Sequence, residues 1–277
     1  MSFVADYELI EWLAPGNHGD WWLARTPPRL LASESSLDAE HVALKALWLD
    51  ATDLDFDRMV RELRILNHVS SPHLVHLIEA GESQGRLFYV RPHYGDGTLA
   101  DLAPGDPLVF RALADAARGA HALHRDGLAH RDIKPTTVNL DAGRGVLGEL
   151  GLAQQIRPGL TTGIGPVGAI EYIAPEIALG ERGSPQSDVW ALGVVLHRVF
   201  TGHSVYGDRV IDNVVEGYRR VAEGNWQLHS SLDTFPEVSA VISRCLGHLP
   251  TQRFVTAEEL AVALDLLADQ NESGRTM

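Results

Sequence analysis

Alternating and continuous apolar stretches divide the first third of the chain into short extended segments. Residues 7–25 alternate apolar and polar side chains around a turn rich in Gly and Pro, which predicts two strands. Residues 41–49 form a nearly continuous apolar run that is typical of a buried strand, and residues 74–80 and 86–90 predict two more. A Pro-Pro pair and a run rich in Ser and Glu predict a loop over residues 26–40.

Helical spacing of apolar residues dominates the rest of the chain. One small hairpin is expected, formed by residues 137–140 and 145–150. Helices are predicted where apolar positions recur every three or four residues, over 53–68, 108–126, 187–201, 208–223, 237–246 and 256–269. Strands followed by helices indicate an α+β fold.

Composition narrows the class of protein. The chain has 277 residues, of which 45% are hydrophobic, and this supports one two-lobed domain or two small ones. A formal net charge of −14 argues against nucleic acid and anionic membrane surfaces as partners and favours a basic protein surface. Because Cys245 is the single cysteine, we expect a reducing, cytoplasmic location. Residues 1–10 lack a basic start, so we expect no signal peptide, and we expect no membrane-spanning segment and no zinc site.

Seven short motifs follow one another along the chain. H-R-D-I-K-P occupies residues 130–135, and V-A-L-K occupies residues 42–45. The others are R-E-L-R-I-L at 61–66, E-L-G at 149–151, I-A-P-E at 173–176, S-D-V-W-A-L-G at 187–193 and T-Q-R-F at 251–254. Each string alone is a weak signal, but their order and spacing together are specific.

These motifs resemble those of eukaryotic-type (Hanks-type) Ser/Thr protein kinases over nearly the whole chain. The resemblance implies a bilobal fold with a small β-rich N-lobe that carries one main helix (residues 1–91), a hinge (92–95), a larger helical C-lobe (96–270) and a tail (271–277). It also implies that Asp132 accepts the proton of the substrate hydroxyl and that Lys134 steadies the transferring phosphoryl group. Alternatively, Asp132 and Arg131 only stabilise the loop.

The resemblance assigns further positions to the nucleotide. Lys45 would reach the α- and β-phosphates of ATP, oriented by Glu62, although the two residues could also form an ion pair of structural importance only. The other positions implied to bind the cofactor are Ala14, Gly16, Gly19, Trp21, Ala43, Tyr94 and Asn139. Glu176 and Arg253 are expected to form a structural ion pair.

Two departures concern the metal ions that accompany ATP. Glu149 stands where the family has the Asp that holds Mg²⁺, and Thr137 stands where it has a metal-binding Asn. Glutamate keeps the charge but displaces the carboxylate by a bond length, whereas Mg²⁺ demands close octahedral geometry. A shifted alignment in which Asn139 takes the place of the missing Asn is the alternative.

Other departures concern the nucleotide pocket and the activation segment. Trp21 replaces a small Val over the adenine, and would either fill that space or swing outward. Arg91 stands at the gatekeeper position, where burial of its charge requires a partner such as Glu62 or Glu149. Ala169 replaces a Thr that contacts the catalytic pair. Thr161 and Thr162 lie in the activation segment, where Arg131 could pair with a phosphate, although they are also ordinary loop residues.

Two functions follow from this mixture. The first is a pseudokinase, with little or no phosphotransfer, that acts as a regulatory or signalling module by binding a protein. The second is an active atypical Ser/Thr kinase that uses ATP with Mg²⁺ or Mn²⁺. A kinase-like fold that acts on a small molecule is a remote third. If the first holds, nucleotide and metal are bound weakly or not at all.

Overall fold

The polypeptide forms two compact units, the first made of Met1–Ser70 and Val75–Gly95 and the second of Ser71–Leu74 and Asp96–Met277. The computed structural model describes residues 2–16, 19–33, 40–47, 60, 63–65, 67–150, 154–155, 167–207 and 214–274. Within these ranges no helix is long and apolar enough to cross a membrane.

The first unit is built on a six-stranded antiparallel sheet. Its strands are β1 (Ser2–Val4), β2 (Tyr7–Gly16), β3 (Gly19–Arg25), β4 (His41–Leu47), β5 (Glu79–Ser83) and β6 (Arg86–Pro92), in the order β1-β2-β3-β4-β6-β5. Side chains alternate across β4: Val42, Leu44 and Ala46 enter the hydrophobic core on one face. Ala43 and Lys45 therefore lie on the opposite face.

Several predictions for this unit are confirmed and two are wrong. Residues 7–25 form the predicted pair of strands, and residues 41–47 form the buried one. The predicted loop 26–40 contains a short helix, α1 (Pro28–Ser33), because Pro is well tolerated at a first helical position. The strand predicted over 74–80 begins only at Glu79, since Leu74 makes one isolated bridge, to Leu147. Most of the predicted helix 53–68 lies outside the described residues, although 63–65 are helical.

The second unit is mainly helical. Its helices are α2 (Leu108–Arg125), α3 (Pro175–Ala178), α4 (Pro185–Thr201), α5 (Val214–Glu223), α6 (Pro236–Cys245) and α7 (Ala257–Gly274). Two small sheets pair β7 (Leu128–Ala129) with β10 (Gln154–Gln155) and β8 (Val138–Asp141) with β9 (Arg144–Leu147). The predicted hairpin and the long helices are thus confirmed within a few residues, except that residues 208–213 lie outside the description.

Helix α4 forms the centre of this unit, and nearly all of its side chains are buried. Ser184 caps its start, Pro185 follows at the first helical position, and Gly202 ends it with a φ of 79°. A Cβ on Gly193 would lie 2.3 Å from the Cβ of Cys245, so this glycine allows α6 to approach α4 closely. Cys245 is buried at that contact, and burial raises the pKa of its thiol, so the residue serves packing rather than redox chemistry.

His197 in α4 is a buried imidazole held in one neutral form. Its Nδ1 donates to the carbonyl oxygen of His203 at 3.0 Å, and its Nε2 accepts from the amide of His229 at 3.0 Å. Burial is the main cause that lowers its pKa from 6.5 to about 4, and the hydrogen bond to the His203 carbonyl opposes it.

Acidification is therefore expected to destabilise the fold through His197. Below pH 6.5 the unfolded chain takes up a proton at this position, and the folded chain does so only near pH 4. The free energy of unfolding should fall by about 3 kcal/mol over this interval from this residue alone. Urea unfolding at pH 7, 5 and 4 should show a shallower fall for His197→Gln than for the wild type. The exposed His248 provides the control, since His248→Gln should follow the wild type. Parallel curves for His197→Gln and the wild type would contradict this prediction.

Candidate active site

The sheet of the first unit carries a cationic and aromatic row on the face opposite its hydrophobic core. Trp21 pairs with Lys45 across β3 and β4, and Lys45 pairs with Tyr89 across β4 and β6. The Lys45 Nζ lies 5.2 Å from the centroid of the Trp21 ring and 5.6 Å from that of Tyr89, and only 3% of the residue is exposed. The two aromatic rings meet edge to face at 5.3 Å.

Arg91 stacks on this row. Its guanidinium lies 4.3 Å from the centroid of the Trp21 ring and 5.5 Å from that of Tyr94. The indole of Trp21 is buried against the sheet, so the alternative in which it swings outward is wrong. The expected partner Glu62 lies outside the described residues, and a contact of Arg91 with Glu149 stays a prediction.

The remaining predicted cofactor-binding residues of this unit lie in the same strands. Gly16 and Gly19 pair with each other at the end of the β2–β3 hairpin, and Ala14 pairs with Trp21. A Cβ on Gly19 would lie 2.3 Å from the carbonyl oxygen of Ala46, so this position requires glycine for close approach to β4. Ala43 is buried on the face that carries Lys45. Tyr89 was not singled out from the sequence, although alternation along β6 places it beside Arg91.

In the second unit, the motif H-R-D-I-K-P forms a loop in which two side chains make an ion pair. The Nζ of Lys134 lies 2.7 Å from the carboxylate of Asp132, which is 8% exposed. Burial raises the pKa of Asp132, the charge and hydrogen bond of Lys134 oppose that shift, and the charge of Glu149 adds to it. The pair holds a carboxylate beside an ammonium group, which is the arrangement expected of a proton acceptor next to an anion-stabilising cation.

Asp188, in the first turn of α4, anchors this loop through hydrogen bonds to its backbone. Its carboxylate accepts hydrogen bonds from the amides of His130 at 2.8 Å and Arg131 at 2.9 Å, and contacts the Nε2 of His124 at 2.8 Å. Burial would raise the pKa of Asp188, but the contact with His124 and the other hydrogen bonds hold it below its usual value. Arg131 has a φ of 70°, a strained conformation for a side chain of this size. Sequence reasoning missed Asp188, which lies 58 residues beyond His130.

The ring of His130 connects the loop to the segment before Glu149. Its Nε2 lies 2.9 Å from the carbonyl oxygen of Gly148, and its Nδ1 accepts from the amide of Asp132 at 3.2 Å. Burial lowers the pKa of His130. The neutral imidazole therefore fixes the spacing between Asp132 and Glu149.

Thr137 is directed back into the loop. Its hydroxyl accepts from the amide of Lys134 at 3.1 Å and lies 2.9 Å from the carbonyl oxygen of Lys134 and 3.2 Å from that of Asp132. The residue is 1% exposed. Asn139, two residues on, belongs to β8, and its amide nitrogen donates to the carbonyl oxygen of Val146 at 3.1 Å.

Glu149 follows the small β8–β9 hairpin in a strained conformation. Its φ is 63°, in the left-handed region that costs a residue with a side chain on the order of 1–3 kcal/mol. Such strain concentrates at functional positions, and here it lies next to the Asp132 loop. Among the described residues no cluster of three or more His, Cys, Asp or Glu side chains could hold a metal ion.

The expected ion pair between Glu176 and Arg253 is confirmed. Two hydrogen bonds of 2.6 and 2.8 Å join the guanidinium to the carboxylate, and both residues are buried. Arg253 also donates to the carbonyl oxygens of Gly247 and Gln186 and lies 4.8 Å from the centroid of the Trp190 ring. The remaining donors of the guanidinium are thus largely satisfied, as a buried charge requires.

The activation segment is described only in part. Thr161 and Thr162 lie outside the described residues, and the backbone of Ala169 belongs to a short 3₁₀ helix, Val167–Tyr172. The Arg131 side chain packs on Gly183, where an added Cβ would lie 2.8 Å from its Cγ and Cδ. The predicted pairing of Arg131 with a phosphate stays a prediction.

Comparison with known proteins identifies the family. The protein kinase domain family matches residues 32–263. The serine/threonine-protein kinase PknK of Mycobacterium bovis is 33% identical over 243 residues, which cover 83% of this chain and 21% of that protein. The serine/threonine-protein kinase PknB of Mycolicibacterium smegmatis is 31% identical over 277 residues, which cover 93% of this chain and 42% of that protein. The chain therefore spans between about a fifth and two fifths of the length of these relatives. The motifs, the two units and these matches show that the chain belongs to the eukaryotic-type (Hanks-type) Ser/Thr protein kinase family.

Proposed function

We propose that this chain is a kinase-fold regulatory module with impaired or absent phosphotransfer, which acts by binding a protein partner in the cytoplasm. It would comprise one kinase-like domain with lobes over 1–91 and 96–270, a hinge over 92–95 and a tail over 271–277. The observation that carries the proposal is the hydroxyl of Thr137, which is buried in the loop backbone at the position of a family metal ligand.

Asparagine and threonine differ in how many hydrogen bonds and metal ligands their side chains can supply. An asparagine can donate to the loop through its amide nitrogen and still offer its carbonyl oxygen to a metal ion. A threonine hydroxyl has one proton and two lone pairs. At Thr137 the proton faces backbone carbonyls and one lone pair accepts from Lys134, which leaves a single lone pair on a residue that is only 1% exposed. The amide nitrogen of Asn139 donates to the carbonyl oxygen of Val146, a bond that does not engage the side-chain carbonyl oxygen of Asn139, so the shifted alignment stays an alternative.

The other proposed metal ligand is Glu149. Its carboxylate is the hard oxygen donor that Mg²⁺ or Mn²⁺ accepts, so one ligand of the usual pair is retained. With Thr137 engaged elsewhere, the residues present fit a two-ligand metal site only in part. Phosphoryl transfer depends almost wholly on positioning and charge neutralisation, so a weakened metal site should reduce its rate strongly.

The residues that the resemblance assigns to the nucleotide pocket support the same proposal. The resemblance assigns position 21 to the roof of the adenine pocket, and Trp21 is there stacked with Arg91. To admit a base, this stack would have to open, with the loss of a cation–π contact of about 0.5–2 kcal/mol. We propose that ATP binding is weak for this reason, with Ala14, Gly16, Gly19, Ala43, Lys45, Glu62, Tyr94 and Asn139 as the other pocket residues.

An active atypical Ser/Thr kinase is the second candidate, and the ion pair between Asp132 and Lys134 favours it. In that case Asp132 would accept the proton of a Ser or Thr hydroxyl while the hydroxyl oxygen takes the γ-phosphoryl group of ATP and ADP leaves. Lys134 would stabilise the charge on the transferring group. The names of the relatives PknK and PknB also favour this candidate.

Thermal unfolding with nucleotide tests the proposal. A ligand at about 100 times its dissociation constant stabilises by about 2.7 kcal/mol, which would raise the melting temperature by roughly 5–10 °C. We expect millimolar ATP to raise it by less than about 2 °C, with no added effect of Mg²⁺ or Mn²⁺. A full shift that depends on either metal would favour the active kinase instead.

Trp21→Val is expected to strengthen nucleotide binding, because it removes the ring on which Arg91 stacks. The variant should lose about 3 kcal/mol of stability through the cavity it creates, so affinity must be measured by calorimetry rather than by melting alone. Trp22→Val is the matched control, since Trp22 pairs with Leu44 on the other face of the sheet. Equal ATP affinities for Trp21→Val and the wild type would contradict this prediction.

A further inference from the structure

The last helix of the second unit carries an exposed row of apolar side chains. Helix α7 packs against α2 with one side, on which Leu260 and Leu264 are buried. Val262 and Leu266 lie one turn apart on the solvent-facing side and are 50% and 58% exposed. Val255, just before the helix, extends the row and is 65% exposed. These last three residues form the α7 row, and apolar side chains aligned in this way make a patch suited to binding another protein.

The charge around the α7 row is negative. Helix α7 contains five acidic residues and no lysine or arginine, the acids being Glu258, Glu259, Asp265, Asp269 and Glu272. Three arginines of neighbouring helices contact these carboxylates: Arg111 and Arg118 from α2, and Arg244 from α6. Three guanidinium groups against five carboxylates leave an excess of two negative charges beside the row.

The combination of an apolar row and negative charge selects among possible partners. An anionic membrane or a nucleic acid would be repelled, and the net charge of −14 acts in the same direction. In a symmetric dimer through the α7 row, each helix would face the like-charged helix of the second copy, which costs free energy. A protein segment that presents apolar side chains between Lys and Arg residues is complementary to the row in both respects.

The spacing of the α7 row fits a helical segment. At 1.5 Å per residue, the distance from Val255 to Leu266 along the helix axis is about 16 Å. An amphipathic helix presents apolar side chains at positions i, i+3, i+4 and i+7, and about three of its turns cover that length. A basic amphipathic helix laid along α7 would bury the row and keep its Lys and Arg residues beside the carboxylates.

We propose that the α7 row is a docking surface for a basic amphipathic helix of the protein partner, with Val262 and Leu266 at its centre. This inference rests on the proposed protein-binding role and specifies the chemistry of the partner. It requires neither ATP nor phosphotransfer, so it applies to the regulatory module and to the active kinase alike.

The test measures, by fluorescence anisotropy without nucleotide, how labelled peptides of about 18 residues bind to the whole chain. The first peptide carries Leu at helical spacing on one face and Lys and Arg on the other. The second has the same composition in an order that breaks the apolar face, and the third has Glu in place of Lys and Arg. At an ionic strength of about 0.15 M, we expect the first peptide to bind about tenfold or more tightly than either control. Equal binding of the first and second peptides would overturn the proposal.

Variants of α7 assign the binding to this row. Val262→Gln/Leu266→Gln should weaken binding of the first peptide by about 100-fold, because each apolar side chain that becomes buried in the complex contributes about tenfold. Both side chains are exposed in the chain itself, so the fold should be retained. Val215→Gln is the matched control, since Val215 is exposed on α5, and it should leave the binding unchanged. Unchanged affinity of the Val262→Gln/Leu266→Gln variant would refute the assignment to this row.

Charge variants test the second half of the proposal. Asp269→Asn/Glu272→Gln should weaken binding of the first peptide by about tenfold and reduce its dependence on salt. This variant also decides the matter if the apolar variant does not fold, since unchanged affinity and salt dependence would then count against the proposal. A wild type that dimerises, with the dimer lost in Val262→Gln/Leu266→Gln, would also overturn it and identify a second copy as the occupant of the row.

Peptide binding and phosphotransfer are measured separately, so the two proposals can fail separately. A chain that binds the basic helix and also phosphorylates Ser or Thr efficiently would refute the impaired-kinase proposal and leave this one intact. A chain that binds none of the peptides and transfers no phosphate would refute this proposal and leave the impairment of phosphotransfer in place.

Discussion

Restoring aspartate at Glu149 and asparagine at Thr137 in one chain is expected to raise phosphotransfer by about 100-fold or more over the wild type. Aspartate would shorten the ligand by one methylene group, and asparagine would offer a carbonyl oxygen while its amide nitrogen takes over the contact to the loop. The rate is measured as transfer of labelled phosphate from ATP to protein Ser or Thr, with Mg²⁺ and with Mn²⁺.

The single variants show whether both ligands matter. Each of Glu149→Asp and Thr137→Asn should give a smaller gain than the pair, because the two groups act on the same metal ions and on the same transition state. Adding Asp132→Asn to the double variant should remove the activity that was gained. If the double variant transfers phosphate no faster than the wild type, the weakened metal site does not explain the impairment.

Breaking the buried ion pair between Glu176 and Arg253 should lower the free energy of unfolding more than any other single substitution proposed for this chain. Removal of one partner leaves a buried charge without its counter-ion, which costs about 3–5 kcal/mol. The guanidinium is joined to the carboxylate by hydrogen bonds of 2.6 and 2.8 Å, and its side chain is fully buried. Urea unfolding of Arg253→Met and of Glu176→Gln should show this loss.

Two comparisons separate the burial of the charge from the ion pair itself. The double variant Glu176→Leu/Arg253→Met should be more stable than the sum of the single effects predicts, since neither charge is then left alone. Arg111→Gln, which breaks an exposed pair, should cost no more than about 1 kcal/mol. A loss below about 1 kcal/mol for Arg253→Met would contradict this account of the pair.

Much of the fold was predictable because the strongest signals are local. The apolar alternation over 7–25 is a local signal, and so is Gly127, which follows the end of helix α2 and has a φ of 70°. The helix Pro28–Ser33 was missed because two prolines suggested a loop, whereas proline fits a first helical turn. The start of β5 at Glu79 was not predicted, because the residues before it form no continuous ladder of hydrogen bonds with a neighbouring strand. A sequence does not reveal where such a ladder begins.

Only the parts of the site that lie within the sequence motifs could be predicted. The contact between Lys134 and Asp132 follows from two residues of one loop, and the pair between Glu176 and Arg253 follows from the family resemblance. The stack of Arg91 on Trp21 was not predicted, because it depends on side-chain directions across neighbouring strands. The anchoring by Asp188 required contacts between residues far apart in sequence.

The most direct test of the central claim compares phosphotransfer by the wild type and by Asp132→Asn under identical conditions. Labelled ATP, Mg²⁺ or Mn²⁺, and a degenerate Ser/Thr peptide library report both self-modification and transfer to other chains. We predict that the two proteins incorporate phosphate at the same background rate, because the metal site and the nucleotide pocket limit the reaction before Asp132 can act. Incorporation by the wild type that exceeds the Asp132→Asn rate by about 100-fold or more would contradict the account and identify the chain as an active kinase.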